Sequence, residues 1–360
     1  MEKLNKYRVE SNSNELFCCY ECGENLQIFD DCWKCLSCKE VWTVDEDGVV
    51  LMNENDYFFG ADQKSINRLL DEIRTMNLEQ LLDSVDQLEK KYSDFEYDYC
   101  LNPRRADWTL LGDFHNKVIL DVGCGYGTIS MQLSKRAKKV IAIDGTLERI
   151  KFLSIIKKLM NVQNIIPIHG NITRIPVESE SIDSALMIGV LEYAGMFGGN
   201  GSPKSLQLQF LRYLFSLLSD VGELWVGIEN KLSPSHFLGK TSHGDLPFTP
   251  LLPTKLAGII TRMIKGESYR LRLYSEWGYR SLFKQAGFNK IEFYYPFFDY
   301  KLPLFIASSR QHNIISHYLE NVKYAVTWKG RIAISLIAFM DKFNLAGLFA
   351  PAFFIKAIKS

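Results

Sequence analysis

Residues 118–128 constrain this chain most, because an apolar run there ends in an acid and a cluster of glycines. The run Val-Ile-Leu-Asp121-Val is followed by three glycines at alternate positions, Gly123, Gly125 and Gly127. A second apolar run ends in Asp144. A buried strand, a tight glycine turn into a helix and an acid at the tip of the next strand form a nucleoside-binding crevice in α/β folds. Glycine has no Cβ, so the turn can approach a ligand closely.

The glycine spacing differs from the dinucleotide fingerprint G-x-G-x-x-G, which would require glycine where Thr128 stands. Asp121 and the three glycines instead resemble motif I of the class I S-adenosylmethionine-dependent methyltransferases. The resemblance implies an α/β fold with a Rossmann-like, seven-stranded, mostly parallel sheet and helices on both faces. It also implies S-adenosyl-L-methionine as cofactor and Asp144 as the acceptor of hydrogen bonds from the ribose hydroxyls.

Further cofactor contacts follow from the same resemblance. The implied set contains Asp121, Gly123, Gly125, Gly127, Asp144, Gly145, Asn171, Ile172 and Gly189. Family members usually carry an acid where Asn171 stands, but an amide oxygen can also accept a hydrogen bond from the adenine amino group. The aromatic and acidic segment 92–99 is either a lid over the cofactor or part of the core. Asp183, at the start of the fourth strand, is predicted to brace the sheet.

Six of the eight cysteines lie between residues 18 and 38. Two C-x-x-C pairs, twelve residues apart, are typical of a tetrahedral zinc site with four thiolate ligands. Cys32 and Cys18 offer other registers, but the preferred ligands are Cys19, Cys22, Cys35 and Cys38. Since protein atoms fill all four positions, the expected Zn²⁺ is structural. A disulfide pair or reactive thiols are the alternatives, and a reducing compartment disfavours both.

The chain is expected to have three parts. Residues 1–55 are expected to end in a hairpin, with strand 41–44, turn 45–48 and strand 49–51. They resemble the zinc ribbon at the front of some bacterial methyltransferases, and the free-standing ribbon that activates others. Residues 56–100 are predicted to be a helical linker or lid, with helices within 61–92, the second of which opens with a capping box at Asn77 and Gln80. Residues 101–360 are the expected methyltransferase domain, with helical inserts near 230–275 and 299–348.

Alternating apolar runs predict the strands and helices of that domain. The predicted strands are 118–122, 140–143, 165–168, 183–188, 222–228, 290–295 and 351–358. The predicted helices are 127–136, 146–160 and 204–218.

Charge and hydropathy narrow the classes of partner. The chain has 42 basic and 42 acidic residues, so no global charge favours nucleic acid. No apolar stretch reaches the 18 residues of a transmembrane span, and the polar N-terminus lacks a signal-peptide core. A cytoplasmic location is expected.

Candidate catalytic residues follow the fifth strand. His243 suits general-base duty, Asp245 can orient it, and Glu229 lies at the carboxyl end of the strand, where ligands bind in such sheets. His236 is interpreted as a surface or capping residue, and His169 as structural. Residues 228–232 and 274–288 resemble bacterial surface-polysaccharide methyltransferases, which implies O-methylation of a small molecule or glycan, such as a sugar or sugar phosphate.

Two other functions remain open. One is an RNA methyltransferase (rRNA or tRNA) that uses the zinc ribbon to bind its substrate, although such enzymes need a basic face. The other is a non-catalytic scaffold that senses the cofactor. In either case the ribbon can dock a protein partner.

Overall fold

The structure is a computed structural model of the chain, and it divides into two compact units. It describes residues 15–52, 63–93, 95–196, 201–239, 241, 246–266, 271–297, 299–309, 314–322, 327–343 and 345–359. The first unit consists of residues 1–186 and 216–222, and the second of residues 187–215 and 223–360.

The first unit opens with a small antiparallel sheet. Its strands are β1 (Leu26–Ile28), β2 (Cys32–Cys35) and β3 (Val41–Thr43), in that spatial order. Trp33 lies opposite Trp42 across β2 and β3, and both indoles are buried. Phe17 packs on Trp33 with ring centroids 4.6 Å apart. These few aromatic contacts are a small core, which fits a module of this size that depends on a metal.

The end of the predicted ribbon segment pairs differently from the expected hairpin. Val44 and Val50 form one antiparallel bridge. Strand β4 (Val50–Leu51) then pairs in parallel with residues 168–169 of β7 (Ile165–His169). Turn residues 45–48 therefore lead the chain from the ribbon to the edge of the larger sheet of this unit.

The larger sheet of the first unit is parallel, with the strand order β8-β5-β6-β7-β4. Its remaining strands are β5 (Val118–Val122), β6 (Lys139–Asp144) and β8 (Ile182–Ile188). They are almost continuously apolar because a parallel sheet is covered on both faces. The helices of the unit are α1 (Gln63–Arg74), α2 (Leu78–Asp83), α3 (Val85–Lys91), α4 (Tyr97–Cys100), α5 (Thr128–Leu133) and α6 (Leu147–Leu159).

The sheet of the second unit is antiparallel, with the order β11-β10-β12-β9. Its strands are β9 (Leu218–Glu229, of which 223–229 belong to this unit), β10 (Lys290–Phe297), β11 (Phe305–Ser308) and β12 (Ala352–Ile358). The helices are α7 (Pro203–Leu217), α8 (Pro234–Phe237), α9 (Thr254–Lys265), α10 (Glu276–Ala286), α11 (Ile314–Val322), α12 (Trp328–Asp341) and α13 (Ala346–Phe349).

The expected α/β fold class is confirmed. All seven strands predicted for the methyltransferase part are present, and β11 is a strand that the sequence did not predict. Residues 50–51 of the expected hairpin do form a strand, β4, but it pairs with β7. Strand β9 begins at Leu218, four residues before its predicted start, and α5 ends at Leu133 rather than residue 136. Helices occur in both predicted inserts. No helix in the described ranges combines the length and the apolar character needed to cross a bilayer.

Candidate functional site

The glycine turn after β5 is held in place by the acid that ends β6. Gly123, Gly125 and Gly127 all have positive φ angles, of 68°, 57° and 76°. The amide of Gly125 donates a 2.8 Å hydrogen bond to Oδ2 of Asp144. Oδ1 of Asp144 accepts a second bond of 2.8 Å from the amide of Thr146. The carboxylate therefore joins the turn to the tip of the neighbouring strand, where the sequence predicted a nucleoside site.

Asp121 lies beneath this turn and connects the strand to the following helix. Ser130 Oγ donates a 2.6 Å hydrogen bond to Asp121 Oδ2, and the Asp121 side chain is buried. Burial is the main reason that its pKa rises to about 6, and the nearby Asp144 carboxylate adds to the rise. The bond from Ser130 opposes the shift. Asp121 therefore braces the first turn of α5.

An aromatic segment ahead of β5 lies against the glycine turn. A Cβ built on Gly125 would meet the hydroxyl of Tyr99 at 3.5 Å, and among the residues that the structure describes no other atom outside the adjoining residues lies within 3.5 Å of it. The ring of Tyr99 packs edge-on against that of Tyr126, with centroids 5.7 Å apart. The guanidinium carbon of Arg105 lies 4.1 Å from the centroid of Tyr99. Part of segment 92–99 thus reaches the glycine turn, whereas Tyr92 and Phe95 are buried.

Thr128 has a local role where the dinucleotide fingerprint would have glycine. Its hydroxyl contacts two carbonyl oxygens of the preceding helical segment, those of Tyr99 at 3.0 Å and Cys100 at 2.7 Å. A glycine at 128 could not make these bonds, because it has no side chain. The departure from G-x-G-x-x-G therefore ties the aromatic segment to the start of α5.

The loop after β7 holds the predicted adenine contacts. Oδ1 of Asn171 accepts bonds from the amide and hydroxyl of Thr173, at 2.9 and 2.8 Å, so an adenine amino group would share this oxygen with Thr173. Ile172 is buried. His169 Nε2 lies 3.2 Å from the carbonyl oxygen of Gly145, which agrees with a structural histidine.

Gly189 belongs to the second unit, after β8. Its φ is 73°, and its amide donates a 2.8 Å bond to the carbonyl oxygen of Gly227. A Cβ at this position would lie 2.8 Å from the hydroxyl of Tyr300. Glycine is therefore required here by the close approach of Tyr300.

The end of β9 presents a carboxylate paired with a buried histidine. Glu229 Oε2 lies 3.6 Å from His236 Nε2, and His236 Nδ1 lies 3.0 Å from the carbonyl oxygen of Lys231. His236 is only 2% exposed, so the interpretation of it as a surface residue is wrong. His243 and Asp245 lie outside the described residues. Of the three predicted catalytic residues, Glu229 is described, and its partner is His236, for which the sequence predicted a surface or capping position.

More acidic and phenolic groups surround Glu229 in the same unit. Burial raises the pKa of Glu192 to about 8, and the Glu229 charge adds to the rise. Tyr300 is buried, and its pKa is raised well above its usual value by desolvation and then by the charges of Glu192 and Glu229. The Tyr279 hydroxyl donates to the backbone oxygen of Glu229 at 3.2 Å. Glu192 is therefore largely protonated at neutral pH.

A cavity of about 200 Å³ opens beside Glu229. Its polar lining comes from Glu229, Ser233, Ser235, Asp299 and Tyr300. Its apolar lining includes Leu238, Phe297, Leu319, Ile334 and Ile337. The described lining contains no Lys or Arg. The cavity thus combines an apolar wall with two carboxylates and three hydroxyls, a mixture suited to a small organic ligand.

The four preferred cysteines meet at one point of the first unit. Their sulfur atoms all lie within 4.8 Å of one another. Cys19 Sγ is 3.5 Å from Cys38 Sγ, and Cys22 Sγ is 3.4 Å from Cys35 Sγ. Sulfur atoms around a tetrahedral zinc with bonds of about 2.3 Å are separated by roughly 3.8 Å. The set fits a Zn²⁺ ion closely, and Cys18 and Cys32 are not part of it.

Comparison with known proteins gives two partial matches in sequence. Residues 113–236 match a family described as a methyltransferase domain. An uncharacterized RNA methyltransferase of Clostridium acetobutylicum is 38% identical over 68 residues, which are 19% of this chain. The match spans only 15% of the length of that relative.

Solved structures show partial likeness. A Thermotoga maritima S-adenosylmethionine-dependent methyltransferase, described as a possible histamine N-methyltransferase, is 15% identical, with 78% of this chain and 98% of that chain covered (TM-score 0.41). A chain in a Haloferax volcanii complex of the Trm112 methyltransferase activator with a methyltransferase is 12% identical, with 71% of this chain and 89% of that chain covered (TM-score 0.41). Phosphoethanolamine N-methyltransferase 2 of Haemonchus contortus, bound to S-adenosylmethionine, is 11% identical, with 71% of this chain and 52% of that chain covered (TM-score 0.39). Residues 113–236, about a third of this chain, are therefore similar to a methyltransferase domain.

Proposed function

We propose that the chain transfers the methyl group of S-adenosylmethionine to a hydroxyl group of a small organic acceptor. The observation that carries the proposal is the glycine turn held by Asp144 within a matched methyltransferase domain. The expected ribbon (1–55), helical segment (56–100) and methyltransferase domain (101–360) are the parts of this proposal.

The cofactor would be held by residues of the first unit. Asp144 accepts hydrogen bonds from the ribose, and the open side of Gly125 admits the ligand next to Tyr99. The neighbouring rings of Tyr99 and Tyr126 offer aromatic faces that attract a sulfonium cation. When bound, the cofactor supplies an electrophilic methyl carbon, and the protein's task is to hold the acceptor in line with it.

Glu229 is the proposed general base in the second unit. The Glu229 carboxylate would accept the proton of the acceptor hydroxyl as that oxygen takes up the methyl group, and the demethylated cofactor would be the leaving group. His236, at 3.6 Å, orients that carboxylate. Catalysis of this kind contributes about 10²–10⁴ in rate. His243 and Asp245 stay predicted candidates for the same task.

The cavity lining narrows the acceptor class. Two carboxylates and no described Lys or Arg make the cavity unfavourable for a phosphate group. The hydroxyl and carboxylate oxygens instead suit a neutral acceptor with several hydroxyl groups, and the apolar wall suits a ring or chain. We therefore favour a neutral sugar or another hydroxylated small molecule over the sugar phosphate that the sequence also allowed.

The zinc ribbon is proposed to be structural. Cys19, Cys22, Cys35 and Cys38 would bind one Zn²⁺, because their sulfur atoms already have the required spacing. The small core around Trp33 and Trp42 gives the fold little support without a metal.

The test combines cofactor binding with transfer. Calorimetry with the zinc-loaded chain should detect both S-adenosylmethionine and its demethylated product, and labelled methyl should enter the small-molecule fraction of a cell extract. Glu229→Gln should lower the transfer rate about 10²-fold or more without weakening cofactor binding. Glu223→Gln, on the same strand but paired with Lys356, is the matched control. No heat with either cofactor form contradicts the proposal.

The second candidate function is RNA methylation. It is favoured by the short match to a Clostridium acetobutylicum protein named an RNA methyltransferase. Label recovered in ribonuclease-sensitive material, rather than in small molecules, would favour it over the first proposal.

A further inference from the structure

We propose that helix α12 docks the chain onto an anionic lipid surface, with the helix lying along the surface rather than crossing it. This inference is independent of the methyl transfer proposed above. It rests on three observations: an exposed apolar stripe, the cations beside it, and a second helix of similar composition in the same unit.

The stripe is a row of large apolar side chains on one face of α12. Its members are Trp328, Ile332, Leu336, Phe339 and Phe343, and each is between 40% and 67% exposed. Phe343 continues the row just beyond the last helical residue, Asp341. At 100° per residue the five positions fall within an arc of about 80°. Single exposed apolar residues are ordinary, but a continuous stripe of five marks an interaction surface.

The opposite face of α12 already has partners. Ile334 and Ile337 are buried and line the cavity beside Glu229. Asp341 is buried and accepts a 3.1 Å hydrogen bond from the amide of Ser316 in α11. The helix is therefore fixed in its orientation, and the stripe faces away from the core of its unit.

Charge complementarity identifies the occupant. Arg331 and Lys342 are exposed and flank the stripe on one side. The single acid of α12 is the buried Asp341, so the exposed part of the helix carries no negative charge. Aromatic and aliphatic side chains next to cations are the composition of helices that lie in the interface of anionic membranes.

Helix α9 repeats this pattern. Leu256, Ile259, Met263 and Ile264 are exposed, with Met263 at 81%. Lys255, Arg262 and Lys265 are also exposed, and the sequence of α9 contains no acid. Exposed apolar side chains next to cations therefore occur on two helices of the second unit, and chance composition explains this repetition poorly.

The experiment is vesicle flotation of the full chain. Vesicles of equimolar phosphatidylglycerol and phosphatidylcholine should carry the wild-type protein, and phosphatidylcholine alone should carry less. The double substitution Trp328→Ser with Phe339→Ser should lower the bound fraction about tenfold or more, because two large apolar groups no longer enter the lipid. Arg331→Gln with Lys342→Gln should weaken binding to the anionic vesicles only.

Leu110→Ser is the matched control, because Leu110 is 79% exposed on a 3₁₀ helix of the first unit. Thermal unfolding verifies that the variants fold. The proposal is overturned if the wild type binds neither vesicle, or if the stripe variant floats like the wild type. It is also overturned if sedimentation shows a dimer that the stripe substitutions dissociate while vesicles bind nothing, since the occupant is then a second copy of the chain.

Discussion

At the scale of single residues, we expect Asp144 to decide whether the glycine turn can hold a nucleoside. Its two oxygens accept bonds from Gly125 and Thr146, each at 2.8 Å. We predict that Asp144→Asn weakens S-adenosylmethionine binding about 10- to 100-fold, because hydrogen bonds to a charged acceptor contribute about 1.5–3 kcal/mol. Titration calorimetry measures the change.

Asp220→Asn is the control for this substitution, because Asp220 is an exposed acid of the same unit. It should leave the affinity unchanged. Equal affinities for the wild type and Asp144→Asn would remove Asp144 from the cofactor site.

Glu192 makes the stability of the chain depend on pH. Burial raises its pKa from 4.5 to about 8, so the folded state keeps a proton that the unfolded state releases. This contribution to stability is fully present below about pH 4.5 and declines as the pH rises to about 8. We predict that Glu192→Gln, which cannot ionise, has a higher Tm than the wild type at pH 8.

Melting curves from pH 4 to pH 9 test whether the contribution of Glu192 to stability falls as the pH rises. The difference in Tm between Glu192→Gln and the wild type should grow steadily from pH 4.5 to pH 8 and then level off. Since other buried acids titrate in both proteins, only the difference reports on Glu192. Parallel curves would mean that the carboxyl is ionised in the folded chain.

At the scale of elements, replacing Gly125 or Gly127 of the same turn by alanine should lower the stability of the chain by different amounts. Both have positive φ, which costs an alanine about 1–2 kcal/mol. A Cβ at Gly127 would also lie 2.7 Å from Cγ of Leu153 in α6, whereas one at Gly125 meets the Tyr99 hydroxyl at 3.5 Å. We predict that Gly127→Ala lowers the free energy of unfolding by about 1–3 kcal/mol more than Gly125→Ala.

Urea denaturation compares the two variants directly. Gly125→Ala should remain folded and lose cofactor affinity, because its Cβ points to the open side of the turn. Equal losses of stability would show that α6 can move away from the turn, and that Gly127 is not needed for its packing.

The ribbon offers a comparison between neighbouring thiols. Cys32 and Cys35 are both buried and lie at the two ends of β2, but only Cys35 belongs to the four-sulfur cluster. We predict that the wild type carries one zinc per chain, that Cys35→Ser loses it, and that Cys32→Ser keeps it. Elemental analysis of the purified proteins measures the ratio. Loss of zinc from Cys32→Ser would mean that Cys32 is one of the zinc ligands.

Helices and strands could be predicted from the sequence where residues close together in the chain determine them. The buried runs of β5 to β8 and the capping box at Asn77 and Gln80 are both found as expected. Strand β4 was not foreseen as an edge strand, because its pairing with β7 depends on where a distant segment lies. His236 was misread for the same reason: its partner, Glu229, is brought to it by the fold.

At the scale of the whole molecule, the neutral total charge hides an acidic ribbon. Residues 15–52 contain nine acidic and two basic residues. Four thiolates around one zinc would add further negative charge. A segment of this kind repels phosphates, so the ribbon is unsuited to holding an RNA substrate.

We therefore predict that the zinc-loaded chain binds bulk RNA and heparin weakly even at low salt, where any basic face would be most evident. Filter binding across a salt series measures this, with a basic RNA-binding protein as the positive control. A protein that neutralises several phosphates loses affinity steeply as salt rises, with a slope of about −0.7 for each contact on a single strand. A slope of that kind here would require a basic surface elsewhere in the chain, and it would move the acceptor from the small-molecule class to RNA.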